Sequence, residues 1–92
     1  MPKNKKNLPS GNESSPGAVI RTAEDLGLYV SAHRKGLRLN QLEIAGMANT
    51  GNRFIVELES GKKTVQLQKV LDVIDLLGLE VVVRPKSSGG VK

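Results

Sequence analysis

Through the middle of this chain, apolar residues recur at spacings of three and four, broken by glycines and short polar runs. That period belongs to helices packed on a common core. Thr22-Ala23-Glu24-Asp25 reads as a helix start, because the Thr hydroxyl accepts an unpaired backbone N–H and the acids favour the positive helix end. The first helix is predicted from Ala23 to about Lys35, with Leu26, Tyr29, Val30 and His33 on one face and Gly36 ending it. A second runs from Gln41 to Met47 behind an Asn40 cap and partly buries Leu42, Ile44 and Ala45. A third, about Asn52 to Ser60, buries Ile55 and Leu58, and Gly61 supplies the left-handed residue that closes it. Thr64 caps a fourth, about Val65 to Leu77, with Leu67, Val70, Leu71, Ile74 and Leu77 inward and Gly78 at its end.

Leu79-Glu80-Val81-Val82-Val83-Arg84 is different in kind. Consecutive β-branched residues suit a pleated strand, and Pro85 stops the run. A lone strand leaves its backbone groups unpaired, so residues 79–84 are predicted to pair with the same strand of a second copy about a twofold axis. Gly17-Ala18-Val19-Ile20-Arg21 is the other candidate, and it is short. A frayed tail would instead expose Leu79, Val81, Val82 and Val83 together.

The ends have another composition. Residues 1–17 are rich in Lys, Asn, Ser, Pro and Gly and read as a disordered basic arm, either a solubilising tail or a strand of charge along DNA phosphate. Residues 85–92 read as a flexible tail, leaving 18–84 as one small domain. The formal net charge is +5, but its distribution weakens any argument from bulk charge. Between Thr22 and Arg84 the eight basic residues (Arg34, Lys35, Arg38, Arg53, Lys62, Lys63, Lys69, Arg84) are matched by eight acidic ones. Only cations sorted onto one face can serve nucleic acid. The chain has no cysteine, no N-terminal apolar run and no bilayer-length apolar stretch, so a cytoplasmic setting without membrane contact is expected.

Two short helices joined at Asn49-Thr50-Gly51 have the geometry that pushes one helix into a DNA major groove. From Leu26-Gly27 to Gly61-Lys62 the residues that carry this resemble the Xre and phage repressor/Cro helix-turn-helix family. The shared pattern is Arg34 in the first helix, Leu39-x-Gln41 opening the second, Ala45 in its middle and Ile55-x-x-Leu58-Glu59-x-Gly61-Lys62 at the end. The run Gly61-Lys62-Lys63-Thr64-Val65-x-Leu67, Phe54-Ile55 before it and Leu77-Gly78-Leu79-Glu80-Val81 after it are similar to HipB-type antitoxins. In those proteins a strand that completes a dimer replaces the usual fifth helix. The resemblance implies a mainly α, repressor/Cro-like bundle of four or five helices, with one C-terminal β-strand pairing across a homodimer.

The roles follow from chemistry and resemblance together. Gln41, in the first turn of the second helix, offers an amide to phosphate or a base edge, and otherwise is a polar first-turn residue. Asn52 and Arg53 open the third helix, where inserted side chains reach deepest; Arg forks onto guanine and Asn onto adenine. Val56 suits a thymine methyl, and Glu57 an amino group of cytosine. Lys62, Lys63, Arg38 and Asn40 flank these and are phosphate contacts or merely solvated. Arg34 and Glu59 occupy positions at which the resembled family has an ion pair tying helix 1 to helix 3, with Arg34 also a candidate for phosphate. Asn49 stands where the family's turn has Gly and tolerates the left-handed region. Gly51 is a weaker cap than the family's Ser or Thr. Gly46, costly within a helix, suggests close helix packing.

Enzyme chemistry finds no foothold. The single His lies on an apolar helix face, Asp72 and Asp75 form a solvated face, and no glycine-rich phosphate loop follows a strand. No cofactor, metal or small-molecule substrate is expected. The sequence supports a sequence-specific transcriptional repressor acting as a homodimer on an inverted-repeat, double-stranded operator. The narrower resemblance implies an antitoxin that autoregulates its operon and binds a HipA-type kinase toxin. A stand-alone phage-type repressor without a toxin, and a protein-interaction module that has lost DNA binding, remain as alternatives.

Overall fold

The computed structural model describes residues 17–86, and these form four helices: α1 (Ala23–Gly36), α2 (Gln41–Met47), α3 (Asn52–Glu59) and α4 (Leu67–Leu76). The arm expected over 1–17, except Gly17, and residues 87–92 of the expected tail lie outside the described residues. Ile55 and Leu58 of α3 sit at the centre of the core, packed with Val30 of α1, Ile44 and Ala45 of α2, and Val70, Val73, Ile74 and Leu77. Helix α3 packs on both α1 and α2. It is the element whose placement all the others fix.

The caps show why the helices begin where they do. Thr22 Oγ1 accepts the Asp25 N–H at 3.0 Å, as the sequence suggests. Asn40 caps α2 through a reciprocal pair: Glu43 N donates to Asn40 Oδ1 at 2.7 Å, and Asn40 N donates to Glu43 Oε1 at 2.8 Å. Helix α1 does not end at Gly36, which is still helical; the chain reverses at Arg38, whose φ is +62°. Gly61, at φ +85°, closes α3 as expected, and a Cβ there would lie 2.8 Å from the Glu24 Cα. Helix α4 starts later than predicted, at Leu67 behind Gln66, so Thr64 is not its cap.

Two expected inner faces are met in part: Val70 and Ile74 of α4 with the adjoining Leu77, and Ile44 and Ala45 of α2, are buried as expected, and the rest differ. Leu67 is 69% exposed and Leu71 also faces out, while Val73, absent from the predicted face, is fully buried. Helix α4 carries apolar residues at 67, 70, 71, 73, 74 and 76, so periodicity alone leaves two overlapping stripes in competition. Leu42 of α2 is 68% exposed rather than partly buried. Close helix packing occurs at Gly27 and not at Gly46. A Cβ on Gly27 would stand 2.6 Å from the carbonyl oxygens of both Leu58 and Glu59, whereas one on Gly46 meets nothing within 4 Å.

His33 is half-buried and its Nε2 donates to the Leu77 carbonyl at 3.0 Å, fastening α1 to the end of α4. Beyond that point the Leu79 N–H bonds the Ile74 carbonyl, and Leu79 itself packs against the core. Residues 79–86 then run without regular secondary structure, and no strand forms among the described residues of this single chain. Val81, Val82 and Val83 are exposed, the last at 93%.

Candidate nucleic-acid interface

Helix α3 has two sides with opposite tasks. Ile55 and Leu58 hold it in the core, and the positions between them turn Asn52, Arg53 and Val56 to solvent. The turn before it is set by backbone bonds from Asn49 N to Gly46 O (3.2 Å) and from Thr50 N to Ala45 O (2.9 Å). Asn49 takes φ +57°, the left-handed conformation anticipated for it. Gly51 precedes α3 in extended conformation with no side-chain bond to the helix, so the N–H groups of the first turn receive no side-chain cap.

Behind this face lies a buried ion pair. Arg34 Nε donates to Glu59 Oε2 at 2.6 Å and Nη2 to Oε1 at 2.9 Å, while Nη1 donates to the Leu39 carbonyl at 2.6 Å. The two side chains are 7% and 6% exposed. The pair expected from the resemblance is therefore present, and each of the three Arg34 nitrogens already donates one hydrogen bond inside the fold. Gln41 is likewise half-buried, not fully exposed, and its Nε2 donates to Glu59 Oε1 at 3.0 Å. One carboxylate thus joins α1, α2 and α3.

The electrostatics of this group are a contest. Burial raises the Glu59 carboxyl most strongly, and the hydrogen bonds from Arg34 and Gln41, the Arg34 charge and the Ser31 hydroxyl outweigh it, so the group stays below its ordinary value. Arg34 is held above its ordinary value, first by the hydrogen bond to Glu59, with burial opposing. Both remain ionised at neutral pH.

A second cluster lies on the outward side. Glu57 Oε2 accepts from Arg53 Nε at 3.1 Å and from Lys62 Nζ at 3.2 Å. The Lys62 hydrogen bond does most to lower the Glu57 carboxyl, partial desolvation opposes it, and Arg53 adds to the lowering. Glu57 is therefore already engaged with two cations, a state the expected cytosine contact did not foresee. Lys63, Arg38 and Asn40 are exposed near the ends of α3 and α2, with Asn40 spending its side chain on the cap. Sequence reasoning missed Ser31, Lys35 and Ser60, which with Gln41 and Val56 line an open cleft beside the buried pair. The available signal was spacing: 31 and 35 on α1 face 56 and 60 across the α1–α3 contact.

A helix presented outward by a tight turn from a shorter, capped helix defines a helix-turn-helix module. No family model matches the chain. Over 62 residues it is 48% identical to an uncharacterized HTH-type transcriptional regulator, y4mF, of Sinorhizobium fredii (strain NBRC 101917 / NGR234), covering 67% of this chain and 82% of that protein. The chain belongs to the HTH-type transcriptional regulators. Among solved structures it is similar to a HipB-O4 20mer complex, with a TM-score of 0.70 at 16% identity over 75% of this chain and 97% of that one. The fold is HipB-like, as the narrower resemblance implied. Among the described residues no helix is long and apolar enough to cross a membrane.

Proposed function

We propose that this chain is a sequence-specific DNA-binding transcriptional repressor that works as a homodimer on an inverted-repeat operator. The observation that carries the reading is α3 itself: Asn52, Arg53 and Val56 stand outward on a helix whose opposite side is locked by Ile55 and Leu58. That arrangement suits Arg53 and Asn52 for base edges, with Lys62, Lys63 and Arg38 placed for phosphate. Dimerisation is supported by the exposed valines of residues 79–84 together with Leu67 and Leu71, apolar surface that a second copy's strand would cover. Two such modules would read half-sites about one DNA turn apart.

The regulator's biological setting in this reading is a toxin–antitoxin operon, with the chain as a cytoplasmic antitoxin that represses its own promoter and binds a HipA-type kinase toxin. Support comes from the HipB-like fold and from the Gly61-Lys62-Lys63-Thr64-Val65 run. The discriminating observation is an adjacent kinase-like reading frame whose product co-purifies with this chain; a stand-alone repressor has neither.

A gel shift against the DNA upstream of the chain's own gene tests the core of the proposal. Arg53→Ala should relax base preference, whereas Lys62→Ala should weaken binding to all sequences alike and reduce the salt slope by about one. If Arg53→Ala leaves both affinity and specificity intact, α3 is not the reading helix. Glu57, a carboxylate among the cations of that face, favours a second reading as a protein-interaction module, and failure of every duplex to shift would select it.

A further inference from the structure

The Arg53–Glu57 bond has a directional consequence. It occupies Nε of the guanidinium and leaves Nη1 and Nη2 without a protein partner among the described residues. Arg53 has a side chain 89% exposed, so this end-on fork is open to solvent while Nε is tied to Glu57. Two parallel N–H groups at that spacing match the O6 and N7 acceptors of guanine in the major groove. A phosphate also accepts such a fork, but it brings a second negative charge beside Glu57, whereas the guanine edge is neutral. Glu57 therefore penalises backbone contact by Arg53 and leaves its base contact nearly untouched.

We propose that Glu57 is a specificity-determining positioning residue: it aims the Arg53 fork at one guanine in each half-site and restrains Arg53 from phosphate on unrelated DNA. The inference rests on α3 being the reading helix and adds to that reading the group that enforces the choice of guanine over phosphate. It also gives Glu57 a role other than acceptance from cytosine, since its Oε2 is shared by two cations.

The experiment begins with the full chain and a pool of randomised duplexes, from which bound sequences are recovered and aligned. Fluorescence anisotropy then compares a recovered duplex, its guanine-to-adenine variant and an unrelated duplex over a salt series. For Glu57→Gln and Glu57→Ala, preference for the guanine should fall about tenfold. Affinity for the unrelated duplex should rise, with its log–log salt dependence steeper by about one. In an Arg53→Ala background, Glu57→Gln should cause no further loss of guanine preference, a dependence that a merely structural role would not produce. Unchanged guanine preference in Glu57→Gln, or an equal loss with and without Arg53, overturns the proposal while leaving DNA reading by α3 in place. If the wild-type chain enriches no duplex at all, both fall together.

Discussion

Replacing Glu59 by Ala removes the acceptor of three hydrogen bonds at once, two from Arg34 and one from Gln41. What remains is a guanidinium 7% exposed with a single partner, the Leu39 carbonyl. Breaking one side of a buried pair costs about 3–5 kcal/mol, because the surviving charge stays desolvated. A domain of this size carries only about 4–10 kcal/mol in total, so Glu59→Ala should lose roughly half its stability or more. Guanidinium unfolding followed by far-UV circular dichroism measures this directly. The double variant Arg34→Met with Glu59→Leu should recover most of the loss, since no charge is then left without a partner. Linkage gives a second readout. The Glu59 carboxyl is lowered in the folded chain from an ordinary 4.5, so its contribution is present above that value and lost as pH falls through the lower, folded value. Wild type should weaken below about pH 4.5, and the double variant should lack that component. A loss smaller than about 1 kcal/mol for Glu59→Ala, or a double variant no better than the single, would refute the argument that desolvation makes this pair matter.

Gly27→Ala places a methyl 2.6 Å from two backbone carbonyls, and α1 must retreat from α3. Overpacking of about 1–3 kcal/mol set against a helix-propensity gain of up to about 1 leaves a net loss, read as a lower Tm; a higher Tm would mean the helices part freely. Gly46→Ala meets open space, so thermal unfolding should show a gain of about 0.5–1 kcal/mol with no change in the circular dichroism spectrum. A loss there would point to a contact at Gly46 that this structure does not contain.

The sequence was most legible where backbone and side chain state the same thing. Asn40 as cap, Gln41 to Met47 as helix, Asn49 as the left-handed turn residue and Ile55 with Leu58 as anchors were all readable from local rules, because each residue's own chemistry decides its place. The Arg34–Glu59 pair was readable only through the family pattern, since nothing local brings together two residues 25 positions apart. Three things were hidden. The face of α4 depended on which of two apolar stripes met the core. The inward bond of Gln41 depended on Glu59 lying beneath it. Gly27 looked like any helical glycine until two carbonyls were found against it. The outward cluster was half legible: Arg53 and Glu57 are four apart on one helix, but Lys62 joins only after Gly61 turns the chain back.

Because Glu59 is fastened from α1 and α2 while belonging to α3, the third helix has no hinge of its own. Tilting or sliding it would break the charged hydrogen bonds of Glu59, so the arrangement favours a module that meets its ligand with one fixed relief. On the proposed reading, adjustment to different operators must then come from bending of the duplex or from the joint between two copies. Release from DNA would have to act at that joint too.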